Sequence, residues 1–402
     1  MKDVVIIGGG AAGMVAAITA ARKNKKVTII EKNDKLGKKI LVTGNGRCNY
    51  FNEDFNPSHY HSDNEEYLKD IITDKNKEKI LNFFDSLGII PKIKNGYYYP
   101  VTGSANTILN ALTYEIKRLN VEVITNTEVT EIKRENIFII NPNKENIKAK
   151  KIIITTGGKA APKTGSDGKG YNLSESLNHK IINPKPALVQ LKGKGNYFNK
   201  WNGVRVDATL ALYENDKFIK EEMGELQLTD YGISGIVTFN LSRYISKNIN
   251  KKIININFMP WLKEDPHKWL KDQINKLNLP VTETLERFLN YKIVNIILKN
   301  ANIKTNNWNK IKDKEFSEII RNLTKFEIEI IGTNSFDKAQ VCSGGIPLTE
   351  INLKTMESLK TENLYFAGEI IDIDGDCGGF NLGFAWISGI ISGENIWLEL
   401  DK

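Results

Sequence analysis

Three glycines, Gly8-x-Gly10-x-x-Gly13, stand between an apolar run at 3–7 and an Ala-rich stretch reaching to about residue 23. Glycines at this spacing serve a dinucleotide pyrophosphate. The first makes a tight turn, the second lets the backbone approach the phosphates, and the third lets helix and strand pack closely. The phosphates then lie at the helix N-terminus, where Ala11 and Ala12 present N–H groups and the dipole favours negative charge. Glu31, followed by Lys32, ends the next apolar run, VTII at 27–30. A carboxylate there can accept hydrogen bonds from both hydroxyls of an adenosine ribose. The plainer alternative is a doubly wound domain whose glycines only turn the chain. Strand, helix and acid in this order favour the nucleotide.

These residues do not separate FAD from NAD. A second complete glycine fingerprint is absent, since Gly157 and Gly158 follow a strand without completing it. The segment that decides lies late in the chain, where LYFA at 364–367 ends in Gly368-Glu369 and DIDGDCGGFNLGFAW opens a helix. In flavoproteins, an acid after a late strand lies against ribityl or pyrophosphate groups, and the helix that follows points at the flavin pyrimidine. Its positive end stabilises negative charge at N1 and O2 of reduced flavin. A plain strand-to-helix connection needs neither three glycines nor Asn381 at its mouth.

The elements that must position these residues begin with a strand, turn, helix and strand over 3–32, whose apolar runs lack alternation, as in parallel strands covered on both faces. Helical spacing marks 66–88 and 105–119, and strands resume at 121–124 and 150–158. Between those two strands lie short extended pieces around Val129 and at 137–140, with an Asn-Pro-Asn turn after the second. Alternating stretches near 187–192, 204–213, 217–228 and 252–258 predict a β-rich domain. Residues 261–325 read as helical, 326–331 as a strand, and a long apolar helix runs from about Asn381 to Leu400.

A chain of 402 residues, 41% hydrophobic, is too long for one ordinary core and suggests two or three compact units. No charged leader precedes an apolar run, and no stretch approaches the roughly 18 apolar residues of a membrane span, so the expected location is cytoplasmic, with no membrane partner. Cys48, Cys342 and Cys377 form no CxxC pair, which fits a reducing compartment. His59 and His61 flank Tyr60 without acidic partners at ligand spacing and read as loop residues, with no metal site expected. Tyr97 to Tyr99 either stack on a ring or pack a core of their own. The net charge of +8 leaves a basic surface that could attract nucleic acid or acidic metabolites, but Lys is spread along the chain with Asn and Ile, as a compositional bias would spread it.

Four blocks carry a family resemblance: GKKILVTGNGRCNYFN at 37–52, TTGGKAAPKTGSDGKGY at 155–171, GELQLTDYGISG at 224–235, and YFAGEIIDIDGDCGGFNLGFAWISG at 365–389. With them the chain resembles, nearly end to end, the HI0933-like family of bacterial FAD-dependent oxidoreductases. The resemblance implies an α/β fold: a Rossmann-like FAD-binding domain (1–185 and 345–402), an inserted β-barrel-like domain (186–258 and 326–344) and a small helical subdomain (259–325).

It also implies the site. Lys38 and Lys39 would lie by the phosphates or ribityl chain, while Thr43, Gly44, Asn45 and Gly46 pass backbone along the isoalloxazine, where glycine permits close approach. Arg47 belongs to the same loop or is an ordinary surface residue. Val129 matches the strand that meets adenine, Gly157 the central glycine turn, and Gly368, Glu369, Gly379, Asn381 and Leu382 the C-terminal half of the cradle. Asp230 stands where many relatives carry His, and is a candidate catalytic contact. Cys48 is a second catalytic candidate and Cys377 also lies near the flavin; each is either a proton donor or a small apolar filler. The implied reaction sends hydride from reduced FAD to the β-carbon of an activated C=C bond and a proton to its α-carbon, with NAD(P)H as a transient electron donor that has no Rossmann site of its own. Uridine in large-subunit ribosomal RNA is the preferred substrate, because a basic protein suits a phosphate-rich partner. Lys192, Lys194, Lys200 and Arg205 would then converge around the flavin opening. A small enone such as a 3-oxo bile-acid intermediate is the alternative, and a flavin-bound binding protein without turnover is a third.

Overall fold

The computed structural model describes residues 1–142, 145–246 and 251–396, apart from the Ser246 side chain. The chain divides into two compact units, Met1–Pro186 with Phe336–Lys402, and Ala187–Ser335.

In the first unit the run KDVVII forms β1 (Lys2–Ile7), the Ala-rich stretch forms α1 (Ala11–Ala21), and VTII forms β2 (Val27–Ile30). Val4, Val5 and Ile6 have no exposed surface, as expected of a strand covered on both faces. β1 lies between β2 and the strand Ile147–Ile154, parallel to both, with Val5 opposite Thr28 and Ile152. Leu364–Phe366 adds in parallel beyond Ile147–Ile154, and Glu122–Ile124 beyond β2. The expected antiparallel excursion is the hairpin of Val129–Arg134 and Phe138–Pro142, whose second strand pairs with Ile147–Ile154. Among the described residues this sheet has nine strands. Because the five parallel strands run one way, Gly8, Glu31, Thr155 and Gly368 all emerge at their carboxyl ends, the edge where open α/β sheets bind ligands.

The last helix, Phe380–Asn395, packs on α1 through glycines. A Cβ at Gly389 would sit 2.6 Å from the Ala12 carbonyl oxygen, and one at Gly393 2.6 Å from that of Ala16. The buried Trp386 donates from Nε1 to the Tyr50 carbonyl at 2.7 Å and fixes the helix from its other side. The expected end of this helix at Leu400 lies outside the described residues, as does Asn143 of the Asn-Pro-Asn turn.

In the second unit, among the described residues, six strands close into an antiparallel barrel: Leu191–Gly193, Gly232–Ser234, Lys217–Leu228, Arg205–Glu214, Lys252–Asn257 and Phe326–Thr333. Ala208, Leu210 and Leu212 alternate inward on the fourth of these, the period of two that the sequence displays. The helix Ile236–Ser246 falls between the expected strands. The helices Pro266–Leu277, Val281–Leu285, Tyr291–Asn300 and Asp313–Thr324 share one continuous core with the barrel, Ile293 and Leu323 packing in the same cluster as Leu210 and Ile254. Residues 336–344, which the resemblance places in the inserted domain, fold with the first unit. There Gly344 donates its N–H to Asp372 at 3.0 Å and Ile346 bridges to Ile371. Among the described residues no helix is long and apolar enough to cross a membrane.

Candidate flavin-binding site

The N-terminal half of the cradle is built from backbone. Gly8 has φ +103°, and a Cβ there would lie 2.6 Å from the Thr155 carbonyl oxygen. A Cβ at Gly13 would lie 2.0 Å from the Gly8 carbonyl oxygen, so helix and turn are in direct contact. Thr155 locks this packing by donating from Oγ1 to the Gly8 carbonyl at 2.6 Å. Gly10 differs: nothing lies within 4 Å of its missing Cβ, and α1 starts from it with no side-chain cap. An uncapped helix start facing open space is an anion site by its own chemistry.

Glu31 is buried at the end of β2. Its Oε2 accepts from Gly9 N–H at 2.7 Å, and its Oε1 accepts from the Asn33 N–H at 2.8 Å and from Asn33 Nδ2 at 2.7 Å. Beside it opens a polar cavity of about 350 Å³ lined by Lys32, Asn33, Glu128 and Asp167 among others, with Lys32 paired to Asp167 at 2.8 Å. Val129, buried, follows Glu128 at the start of its strand. Glycine loop, uncapped helix and buried acid together fit the adenosine and phosphate half of FAD.

The loop expected to carry flavin follows the short helix Lys38–Val42. Gly44, Asn45, Gly46 and Cys48 have φ of +54°, +55°, +80° and +55°, a run of left-handed residues that turns peptide groups outward. Thr43 steadies it from Oγ1 to the Ile40 carbonyl at 2.7 Å, and its own carbonyl accepts from Cys48 N–H at 3.1 Å. Arg47 is exposed. Lys38 pairs with Asp34 at 2.6 Å, whereas Lys39 reaches across the sheet to Glu369 Oε2 at 2.7 Å and the Ala160 carbonyl at 3.2 Å. Cys48 has no exposed surface, and burial pushes its thiol up to about 11. Such a thiol packs the loop from beneath and presents nothing that a substrate can reach.

The C-terminal half is closed by long-range contacts. Gly368, with φ +78°, abuts α1, where its Cβ would lie 2.9 Å from that of Ala12. Glu369 takes Lys39 on Oε2 and the Cys342 N–H on Oε1 at 2.9 Å. The Cys342 thiol lies 3.7 Å from that oxygen and accepts from Lys159 N–H at 3.3 Å; burial pushes it up to about 12, with Glu369 adding to the shift. Gly157, φ +73°, turns the chain here, and a Cβ on Gly158 would strike Cys342 Sγ. In the sequence Cys342 stands out only as a thiol without a CxxC partner, and the one local signal of its place is the Gly-Gly pair two residues on, both at positive φ.

The turn that opens the last helix is held by the segment around residue 60. Asp374–Gly375 pairs with Tyr60–His61, and Asp376 N–H donates to the His59 carbonyl at 2.9 Å. The Asp376 carboxylate lies 3.1 Å from His59 Nδ1 and 3.0 Å from His61 Nε2. The two histidines therefore do have an acidic partner, contrary to the sequence reading, because the acid stands more than 300 residues away in the chain. Asn381 closes the turn, accepting from Gly375 N–H at 2.9 Å and donating to its carbonyl at 2.7 Å. Gly379, φ +97°, starts the helix with no side-chain cap, and Leu382 packs in its first turn. Cys377 is half-buried; burial first and Asp376 second push its thiol up to about 11.

Within the second unit, Asp230 is exposed on the turn between Lys217–Leu228 and Gly232–Ser234. Of the four basic residues singled out there, Lys194 is paired with Glu329 at 3.1 Å and Arg205 with Glu225 at 2.8 Å, while Lys192 and Lys200 are exposed.

A bile-acid enzyme of Clostridium scindens, 3-dehydro-bile acid delta(4,6)-reductase, is 37% identical over 98% of both chains. A ribosomal RNA dihydrouridine synthase of Escherichia coli is 28% identical over 96% of both. Among solved structures, a 3-ketosteroid-delta4-(5alpha)-dehydrogenase from Rhodococcus jostii shares the fold, with TM-score 0.51, 13% identity, and coverage of 98% of this chain and 96% of that one. The family profile described as HI0933-like protein Rossmann domain matches residues 2–395, which takes in the glycine turn, the flavin loop and the late strand together. With that match, the protein belongs to the HI0933-like family of FAD-dependent oxidoreductases.

Proposed function

We propose that this protein reduces a carbon–carbon double bond conjugated to a carbonyl in a small cyclic enone, with NAD(P)H as the electron donor. The observation that carries the reading is the wall beside the helix-opening turn. The Tyr97 ring lies against Gly378, where a Cβ would meet its Cε1 at 2.8 Å, and the half-buried Cys377 is the residue before it. An aromatic ring beside a protonated thiol suits a flat carbon skeleton better than a phosphodiester. Identity of 37% to a reductase of a bile acid supports the same choice.

The glycine turn with Ala11 and Ala12 would hold the pyrophosphate, Glu31 the ribose, and residues 43–46 with Gly379 and Leu382 the ring. Bound there, reduced flavin supplies hydride. Burial and Asp376 keep the Cys377 thiol protonated at neutral pH; it would give that proton to the substrate carbon and regain one from water.

Reduction of uridine in ribosomal RNA is the second reading, favoured by the net charge of +8 and by the 28% relative. Anaerobic titration separates them. NADH or NADPH should bleach the flavin, and a 3-oxo-Δ4 steroid should restore its colour with little dependence on salt. RNA contacting six or more basic groups would bind about 10³-fold more weakly at 200 than at 50 mM salt. Recolouring by RNA fragments and not by steroid overturns the enone assignment.

A further inference from the structure

The His59–Asp376–His61 cluster has no part in the functions above, and it sits at a sensitive place. Asp376 precedes the helix start at Gly379, and its carbonyl lies 3.4 Å from Asn381 Nδ2 in the first helical turn. Its carboxylate is buried between two imidazoles. Residues 52–61 grip this turn from outside: Asn52 Nδ2 donates to the Gly378 carbonyl at 2.9 Å, Tyr60 donates to the Phe380 carbonyl at 3.1 Å, and the His59 ring stacks on Phe380 at 4.5 Å.

A carboxylate at a helix N-terminus stabilises the helix but subtracts from the positive field that the same end offers a bound anion. A protonated imidazole on that carboxylate restores the field. We propose that His59, acting through Asp376, is a positioning residue that sets the charge of the last helix's N-terminal turn and with it the reduction potential of bound flavin. The inference rests on the flavin lying against this helix start.

The groups facing His59 are Asp54 on its own segment, at 2.9 Å from Nε2, Asp376 from the turn, and His61 across the shared carboxylate; the last helix contributes the uncharged Phe380 ring. The Asp376 carboxylate, followed by Asp54, holds the imidazole above the ordinary histidine range, with burial opposing them. The sign follows. Below that raised value His59 is charged and offsets the Asp376 carboxylate; as pH rises through it, the negative charge beside the helix start grows by one unit and the preference for reduced flavin falls.

The test is spectroelectrochemical titration of the FAD-loaded protein between pH 6 and 9. His59→Gln should lower the potential at pH 6 by a tenfold loss of preference for reduced flavin, about 30 mV for a two-electron couple, and should converge with the wild type at high pH. Asp376→Asn should remove the effect, so that it and the double variant coincide. A His59→Gln potential that tracks the wild type throughout overturns the inference, as does a double variant that behaves like His59→Gln alone. If Asp376→Asn fails to fold, an NMR titration of His59 in the wild type decides, and titration at or below the ordinary histidine value overturns it. Wild-type protein that purifies without a flavin spectrum and takes up no FAD overturns the site assignment itself, and the inference with it.

Discussion

Glu31 and Glu369 both follow a parallel strand of one sheet, yet their carboxylates are held in unlike ways. Glu31 takes amide N–H groups from its own neighbourhood, Gly9 and Asn33. Glu369 takes a cation 330 residues away and the backbone of a third segment, through Lys39 and the Cys342 N–H. The first half of the cradle is a local device that any chain with this strand, turn and helix would form. The second exists only once the last helix has docked on α1 and residues 52–61 have met the turn before it. Local contacts make a site that is legible and robust. Distant ones make a site that no single stretch of the sequence displays.

The contrast can be broken at several points. The largest effect is expected for Gly13→Val, whose Cβ would meet the Gly8 carbonyl with no flexible neighbour to yield. Stability should fall by about 3 kcal/mol or more, and bound FAD should be nearly absent, read by thermal denaturation and flavin absorbance.

In the proposed site Glu31→Ala would remove the acceptor for two ribose hydroxyls at roughly 1.5 to 3 kcal/mol each, so equilibrium dialysis should show FAD at least about a hundredfold weaker. Unchanged retention would remove Glu31 from the site.

Breaking the distant half should cost less. Lys39→Met and Glu369→Gln each separate a partly buried pair, and each should destabilise by about 1 to 2 kcal/mol, with the double variant recovering part of the sum. Full additivity in denaturant unfolding would mean that the clasp contributes nothing.

A smaller effect sharpens the comparison through pH. His179 is buried against Glu350 at 2.9 Å, and burial pushes its imidazole below the ordinary value, opposite in direction to His59. A depressed histidine favours the neutral form in the folded state. Its contribution is complete above the unfolded value and is lost as pH falls through it. Between pH 7.5 and 5.5 the wild type should lose roughly 1 kcal/mol that His179→Asn does not, measured by urea unfolding at each pH. The smallest expected change is in Asn33→Ala. It removes one neutral donor from Glu31, and FAD affinity should move by about threefold or less.

The sequence alone determined the elements that depend on neighbours in the chain. The unbroken apolar runs of β1 and β2 specify buried parallel strands, the glycine spacing specifies the turn, and alternation from 205 to 228 specifies barrel strands, because these patterns act within a few residues of one another. Tertiary structure decided the rest. Nothing near His59 and His61 in sequence announces Asp376, nothing near Lys39 announces Glu369, and Cys342 joins the cradle only because its segment folds with the first unit. A charge or a lone thiol carries no periodicity, so its partner is set by where the sheet edges and helix ends meet in space, and that geometry is absent from any window of the chain.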